Sequence, residues 1–234
     1  MTLFLNSTVT GSLIPTPVES QQHEVPTDNV TNILCAHQLH DYVELFKEEE
    51  ICGDDFAKPI PELDKLLRDA GVSSALDRLR ITTAFKIGPT TDQHSVQNVV
   101  KFLDRMNMHQ YSQKFEEKGI GTEILLHIDD QELLLELGVS DPLDCLKIVV
   151  LFKRHVKGAS AFAQKYPLEA TMKILDEIDM SHHIASFQYH EIYAECISEA
   201  TTQALKKLGV KDRKQREKIK EYFVALKNSA HDPN

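Results

Sequence analysis

Leu134-Leu135-Glu136-Leu137-Gly138-Val139 decides how this chain folds, because its pattern occurs three times. Leu67 stands four residues before Gly71-Val72, and Leu205 stands four before Gly209-Val210. Ten residues past each glycine comes an isoleucine: Ile81, Ile148 and Ile219. A leucine-rich helix can stop at glycine, which accepts the left-handed conformation of a helix C-cap, and a new helix can begin three residues later. Ser74, Asp141 and Asp212 hold that third position, and all three are favourable N-caps. Pro142 follows Asp141 at N1, where its missing N–H costs nothing. The spacing predicts long final helices at about 74–86, 141–156 and 212–227.

Upstream of each glycine lies a second block that aligns without gaps. Leu34, Leu103 and Leu175 are followed five residues on by Leu39, Met108 and Met180, and eight on by Tyr42, Tyr111 and His183. Twelve on come Phe46, Phe115 and Phe187, and seventeen on come Ile51, Ile120 and Ile192. From isoleucine to glycine the distance is 20, 18 and 17 residues, so length varies only between the blocks, as it does in loops. A period near 70 residues is too long for a solenoid turn and fits a small domain with its own core. Apolar residues recur at three and four, as in Val99, Phe102, Leu103 and Met106, which marks helices; no unit alternates as a strand would.

Composition agrees with packed, non-fibrous domains. Of 234 residues, 41% are hydrophobic and 26% charged. The longest apolar run, Ile148-Val149-Val150-Leu151-Phe152, falls far short of the roughly 20 residues that span a bilayer, so no membrane association is expected. The N-terminus has no basic region before its short apolar stretch, which predicts a cytoplasmic protein. Cys35, Cys52, Cys145 and Cys196 are scattered, without metal spacing, and read as reduced and mostly buried. The first 28 residues, rich in Ser, Thr, Pro and Gln, read as a disordered tail.

The second unit shows what this pattern is similar to. Val99-Val100-Lys101-Phe102-Leu103, then Met108 to Tyr111 and Phe115, Ile120 to Leu125, and Glu136-Leu137-Gly138-Val139 resemble the sterile alpha motif (SAM) domain. Many members of that family carry a tryptophan before the first-helix leucine; here Ile33, Phe102 and Ile174 stand in its place. The resemblance implies an all-α protein of three tandem five-helix bundles with short linkers: residues 29–87, 94–157 and 167–228, between tails at 1–28 and 229–234.

Eleven histidines and nine glycines form no HExxH, GxSxG, P-loop or GxGxxG, so neither an enzyme nor a cofactor or small-molecule substrate is expected. Charge is more informative. The chain carries a net −10, distributed unevenly: residues 28–86 hold 7 basic and 12 acidic groups, whereas residues 165–228 hold 11 and 10. Lys211, Arg213, Lys214, Arg216 and Lys218 crowd the start of the last helix, where the helix dipole disfavours cations, so something must compensate them. Glu48, Glu49, Glu50, Asp54, Asp55, Glu62 and Asp64 make an acidic middle in the first unit.

Because SAM domains associate head to tail, the resemblance implies an adaptor or scaffold that pairs with itself or with other SAM proteins. The basic helix start would dock on the acidic middle of another molecule, weakening with salt. Leu76 and Leu143 are the equivalent apolar contacts inside the chain, facing the acidic middle of a following unit, which in the second unit comprises Glu116, Glu117, Glu123, Asp129 and Asp130. RNA hairpin binding through the last helix is the alternative, although no aromatic residue interleaves the basic run before Tyr222.

Overall fold

The computed structural model describes residues 27–88, 93–128 and 131–230; the expected tails fall mostly outside them. Every regular element among the described residues is helical. The first unit comprises α1 (Thr27–Ala36), a 3-10 turn (His40–Tyr42) leading into α2 (Val43–Glu48), a 3-10 turn (Gly53–Ala57), α3 (Ile60–Asp69) and α4 (Ala75–Ile87). In the second, α5 (Gln93–Arg105) precedes a 3-10 turn (His109–Tyr111) with α6 (Ser112–Glu117), then α7 (Thr122–Leu126), α8 (Gln131–Glu136) and α9 (Pro142–Lys157). A short α10 (Ala161–Lys165) leads to the third: α11 (Leu168–Glu177), a 3-10 turn (Ser181–His183) with α12 (Ile184–Tyr189), α13 (Ala194–Glu199), α14 (Thr202–Lys207) and α15 (Arg213–Ala230).

The ungapped spacing of five has a local cause. Leu39 N–H donates to Leu34 O, Met108 N–H to Leu103 O and Met180 N–H to Leu175 O, at 2.7 to 2.8 Å. Ile51 bonds Phe46, Ile120 bonds Phe115 and Ile192 bonds Phe187 in the same way, and Val72, Val139 and Val210 bond Leu67, Leu134 and Leu205. Each pair closes a helix by the six-to-one bond of a Schellman motif, whose two ends also touch through their side chains. Each such closure needs one left-handed residue: Gln38, Asn107 and Asp179 in the first set, Glu50, Gly119 and Glu191 in the second, and Gly71, Gly138 and Gly209 in the third. All these closing aliphatic and aromatic side chains are buried.

The final helices start as their caps predict. Ser74 Oγ accepts from Asp77 N–H at 2.9 Å, Asp141 Oδ1 from Leu143 N–H at 2.9 Å, and Asp212 Oδ1 from Gln215 N–H at 2.9 Å. Two further ties fix each final helix to its own bundle. Tyr42 Oη donates to Asp77 at 2.7 Å, Tyr111 Oη to Asp144 at 2.8 Å, and His183 Nε2 lies 3.2 Å from Gln215 Oε1. Seven residues past each glycine, Arg78 donates to the carbonyls of Val72 and Ser73, the Cys145 thiol to Val139 O, and Arg216 to the carbonyls of Val210 and Lys211. The turn between the last two helices is thereby held from inside.

Four details differ from the sequence reading. The segment from Gly158 to Pro167 is not a bare linker: Ser160 caps α10, and Phe162 is buried against the third bundle. Both tail boundaries shift, since Thr27 and Asp28 already belong to α1 and α15 continues through Ser229 and Ala230. The third helix of the first unit is a 3-10 turn. Of the cysteines, Cys145 and Cys196 are buried but Cys35 and Cys52 are exposed.

Burial pulls the Asp77 carboxyl upward, but the hydrogen bonds from Tyr42 and Arg80 hold it below the usual carboxylate range. A carboxyl whose pKa falls on folding contributes stability that is complete above its unfolded value of about 3.9 and is lost as pH drops through the folded value. Scanning calorimetry of the full chain should therefore show the melting temperature falling on acidification below about pH 4. Asp77→Asn should lower it at neutral pH and flatten that acid dependence.

Candidate docking surfaces

Final helices of the first two units have two buried sides. Helix α4 packs on its own α1 and α3 and also on α7 and α8 of the next unit, while α9 packs on α7 and α8 and also on α13 and α14. Leu76 is 1% exposed and lies in the apolar cluster that the second and third units share rather than in that of its own unit, with Leu79 packed against the same cluster. Leu143 is buried as well. So each final helix lies on the middle of the following unit.

Polar contacts set the register of both docks at the same positions. Ser74 Oγ donates to Glu136 Oε2 at 2.5 Å, and Leu76 N–H reaches Glu136 Oε1 at 3.4 Å. At the second dock Lys207 Nζ lies 3.1 Å from Asp141 Oδ2. Ser74 and Asp141 stand three past their glycines, and Glu136 and Lys207 two before theirs. Farther along α9, Arg154 lies 3.4 Å from Glu195 and its guanidinium stacks 4.7 Å over the Tyr193 ring. Burial raises the Glu195 carboxyl despite Arg154. The sequence reading named Leu76 and Leu143 but not Glu136 or Lys207. Of the acids expected opposite Leu76, Glu123 lies on α7, against which α4 packs, and Asp129 and Asp130 lie outside the described residues.

Among the described residues, two surfaces of this kind have no such mate: the middle of the first unit and the outer side of α15. On the first, Glu48, Glu49, Glu50, Asp54 and Glu62 are exposed and form no ion pair among the described residues. Asp55 and Asp64 are used internally. Burial pulls Asp55 upward, but the 2.6 Å bond from Lys58 and the Cys52 N–H hold it low. Asp64, likewise pulled up by burial, is held low by Arg78 at 2.7 Å and Arg68 at 2.6 Å. Ile60 adds an apolar spot, 58% exposed.

At α15 the cations find compensation largely inside the chain. Arg213 pairs with Glu217 at 2.7 Å, Lys218 lies 3.5 Å from Asp179, and Arg216 is spent on the carbonyls of Val210 and Lys211. Lys211 and Lys214 are exposed and pair with no carboxylate among the described residues. The acidic residues of the first unit thus stay largely unpaired, whereas the basic ones of α15 are largely engaged within the chain. No group of acidic, histidine and cysteine side chains suited to a metal occurs among the described residues, and none of their helices is long and apolar enough to cross a membrane.

Comparison with protein families matches this architecture. A model described as SAM domain (Sterile alpha motif) matches residues 91–155, and a second of the same description matches residues 167–227. The chain belongs to the SAM domain family. Residues 27–88 are matched by neither model. Comparison with curated proteins and with solved structures gives no match. SAM domains are commonly protein interaction modules, and in this chain the SAM domain matched at residues 91–155 docks its final helix on the one matched at residues 167–227.

Removing the Leu76 side chain should cost about 2–4 kcal/mol, as for other buried leucines, and most of the loss should fall on the junction. Amide exchange on Leu76→Ala should show faster opening of α4, α7 and α8 while α11 to α15 keep their protection. Uniform loss across all units would contradict this.

Proposed function

We propose that this chain is a non-enzymatic association scaffold that pairs head to tail with other SAM-type domains, and that residues 27–88 form a third bundle of the same family. The observation that carries this reading is the repeated internal dock: α4 on α7 and α8, then α9 on α13 and α14. A module that twice buries its final helix on the middle of its neighbour leaves one such middle and one such helix uncovered among the described residues. For residues 27–88, the matching helix closures and the Tyr42–Asp77 tie support membership.

The acidic middle of the first unit, Glu48, Glu49, Glu50, Asp54 and Glu62, is the end best suited to a partner. Its charge selects a basic helix start, speeds encounter and makes binding salt-dependent. The start of α15, with Lys211, Arg213, Lys214 and Lys218, is the complementary end by charge. RNA binding gains no support, since Arg213, Arg216 and Lys218 already have partners in the chain.

Calorimetric titration of the full chain with purified SAM domains bearing a basic final-helix start tests the reading. Glu48→Lys with Glu49→Lys should weaken binding about tenfold or more, and raising salt should do the same. Binding indifferent to both, or absent throughout such a panel, would sink it.

A further inference from the structure

The two leftover surfaces do not fit each other when the internal docks are used as the template. On α4, Leu76 and Leu79 pack into the next unit's cluster, and the buried Thr83 continues the same row; they stand five, eight and twelve residues past Gly71. Those positions share one helix face. On α9 they are Leu143, Leu146 and Val150. On α15 they are Lys214, Glu217 and Glu221, all exposed. The apolar stripe that makes both docks has become a charged one.

Register adds a second mismatch. Ser74 meets Glu136 and Asp141 meets Lys207, position three past the glycine against position two before the next. If α15 lay on the first unit of another copy in this register, Asp212 would meet Asp69, two carboxylates. Glu217 and Glu221 would also approach a face rich in acid, and Lys214 would lose its water at the apolar centre. The basic residues of α15 do not relieve this, because Arg213, Arg216 and Lys218 lie off the stripe and are already engaged.

Equivalent positions describe the helix the acidic face would take. Asp69 holds the place of Glu136, which accepts from a hydroxyl.

We propose that this chain is a directional end piece: the acidic face of its first unit accepts a final helix from a different protein, while α15 closes the other end against a second copy. The accepted helix carries aliphatic residues five and eight past its glycine and a hydroxyl or cation three past. This rests on the head-to-tail reading above and gives it a direction and a partner chemistry.

A gain-of-function variant of the full chain tests both halves. Asp212→Ser, Lys214→Leu, Glu217→Leu and Glu221→Val together rebuild on α15 the stripe of α4 and α9. Light scattering over about a hundredfold concentration range should give a single-chain mass for the wild type and a rising mass for the variant. Adding Glu49→Lys with Asp69→Lys should return the variant to a single chain. A wild-type oligomer that Arg213→Glu with Lys214→Glu dissolves would overturn the end-piece inference yet uphold head-to-tail association. A variant that stays single would overturn the acceptor face and the association reading with it. Oligomers that survive the acceptor reversal would overturn the inference, because they would not use that face.

Discussion

Burial of a second side on α4 and α9 is the constraint from which the arrangement of the chain follows. A final helix that served only its own bundle would need one apolar stripe. Helix α4 instead buries Leu76 in the next unit and Ile81 in its own, and α9 is enclosed in the same manner. At roughly 25 cal/mol per Å2 of apolar surface removed from water, two or three such side chains per junction contribute several kcal/mol. Neighbouring units are therefore coupled in stability, as in repeat arrays where interface terms rival those within a repeat. The ion pairs and hydrogen bonds at Glu136 and Lys207 are partly exposed and add less; their work is to fix which residues meet.

Local closure explains how much of the fold was legible in the sequence. Leu34 with Leu39, Phe46 with Ile51 and Leu67 with Val72 sit at a fixed spacing because one six-to-one bond and one side-chain contact require it, so the repeat survives any change in the connecting loops. The caps Ser74, Asp141 and Asp212 were legible for a similar reason: their effect spans three residues. Helix α10 was not, because its anchor, Phe162, is buried by elements that follow it and has no counterpart in the other units. The turn clamp was hidden by chemistry: an arginine, a cysteine and another arginine hold the same carbonyl, and no residue type announces the role.

Charge was the least reliable guide to the docking surfaces. A run of cations in sequence wraps around a helix, so density along the chain is not density on a face. Arg216 looked like part of a basic patch and is instead a backbone clamp; Asp55 and Asp64 looked like part of an acidic one and are instead a turn brace and an arginine partner. What remains acidic on the first unit does so because Glu48, Glu49, Glu50, Asp54 and Glu62 lie on a loop and on helix ends, where consecutive side chains need not serve the core.

An array built from one docking rule must treat its two ends differently from its middle. An exposed apolar stripe on α15 would invite uncontrolled growth, because a head-to-tail contact has no symmetry that closes it. Charged residues at the three stripe positions prevent this at little cost, since α15 still buries Ile219 and Phe223 on its inner side. The opposite end is protected otherwise. A receiving face needs no protruding apolar row, only a shallow surface, and acidic side chains around it repel like surfaces while remaining attractive to a basic helix start. Direction in such an array thus comes from which of two complementary surfaces keeps its apolar centre, and three side chains on one helix are enough to set it.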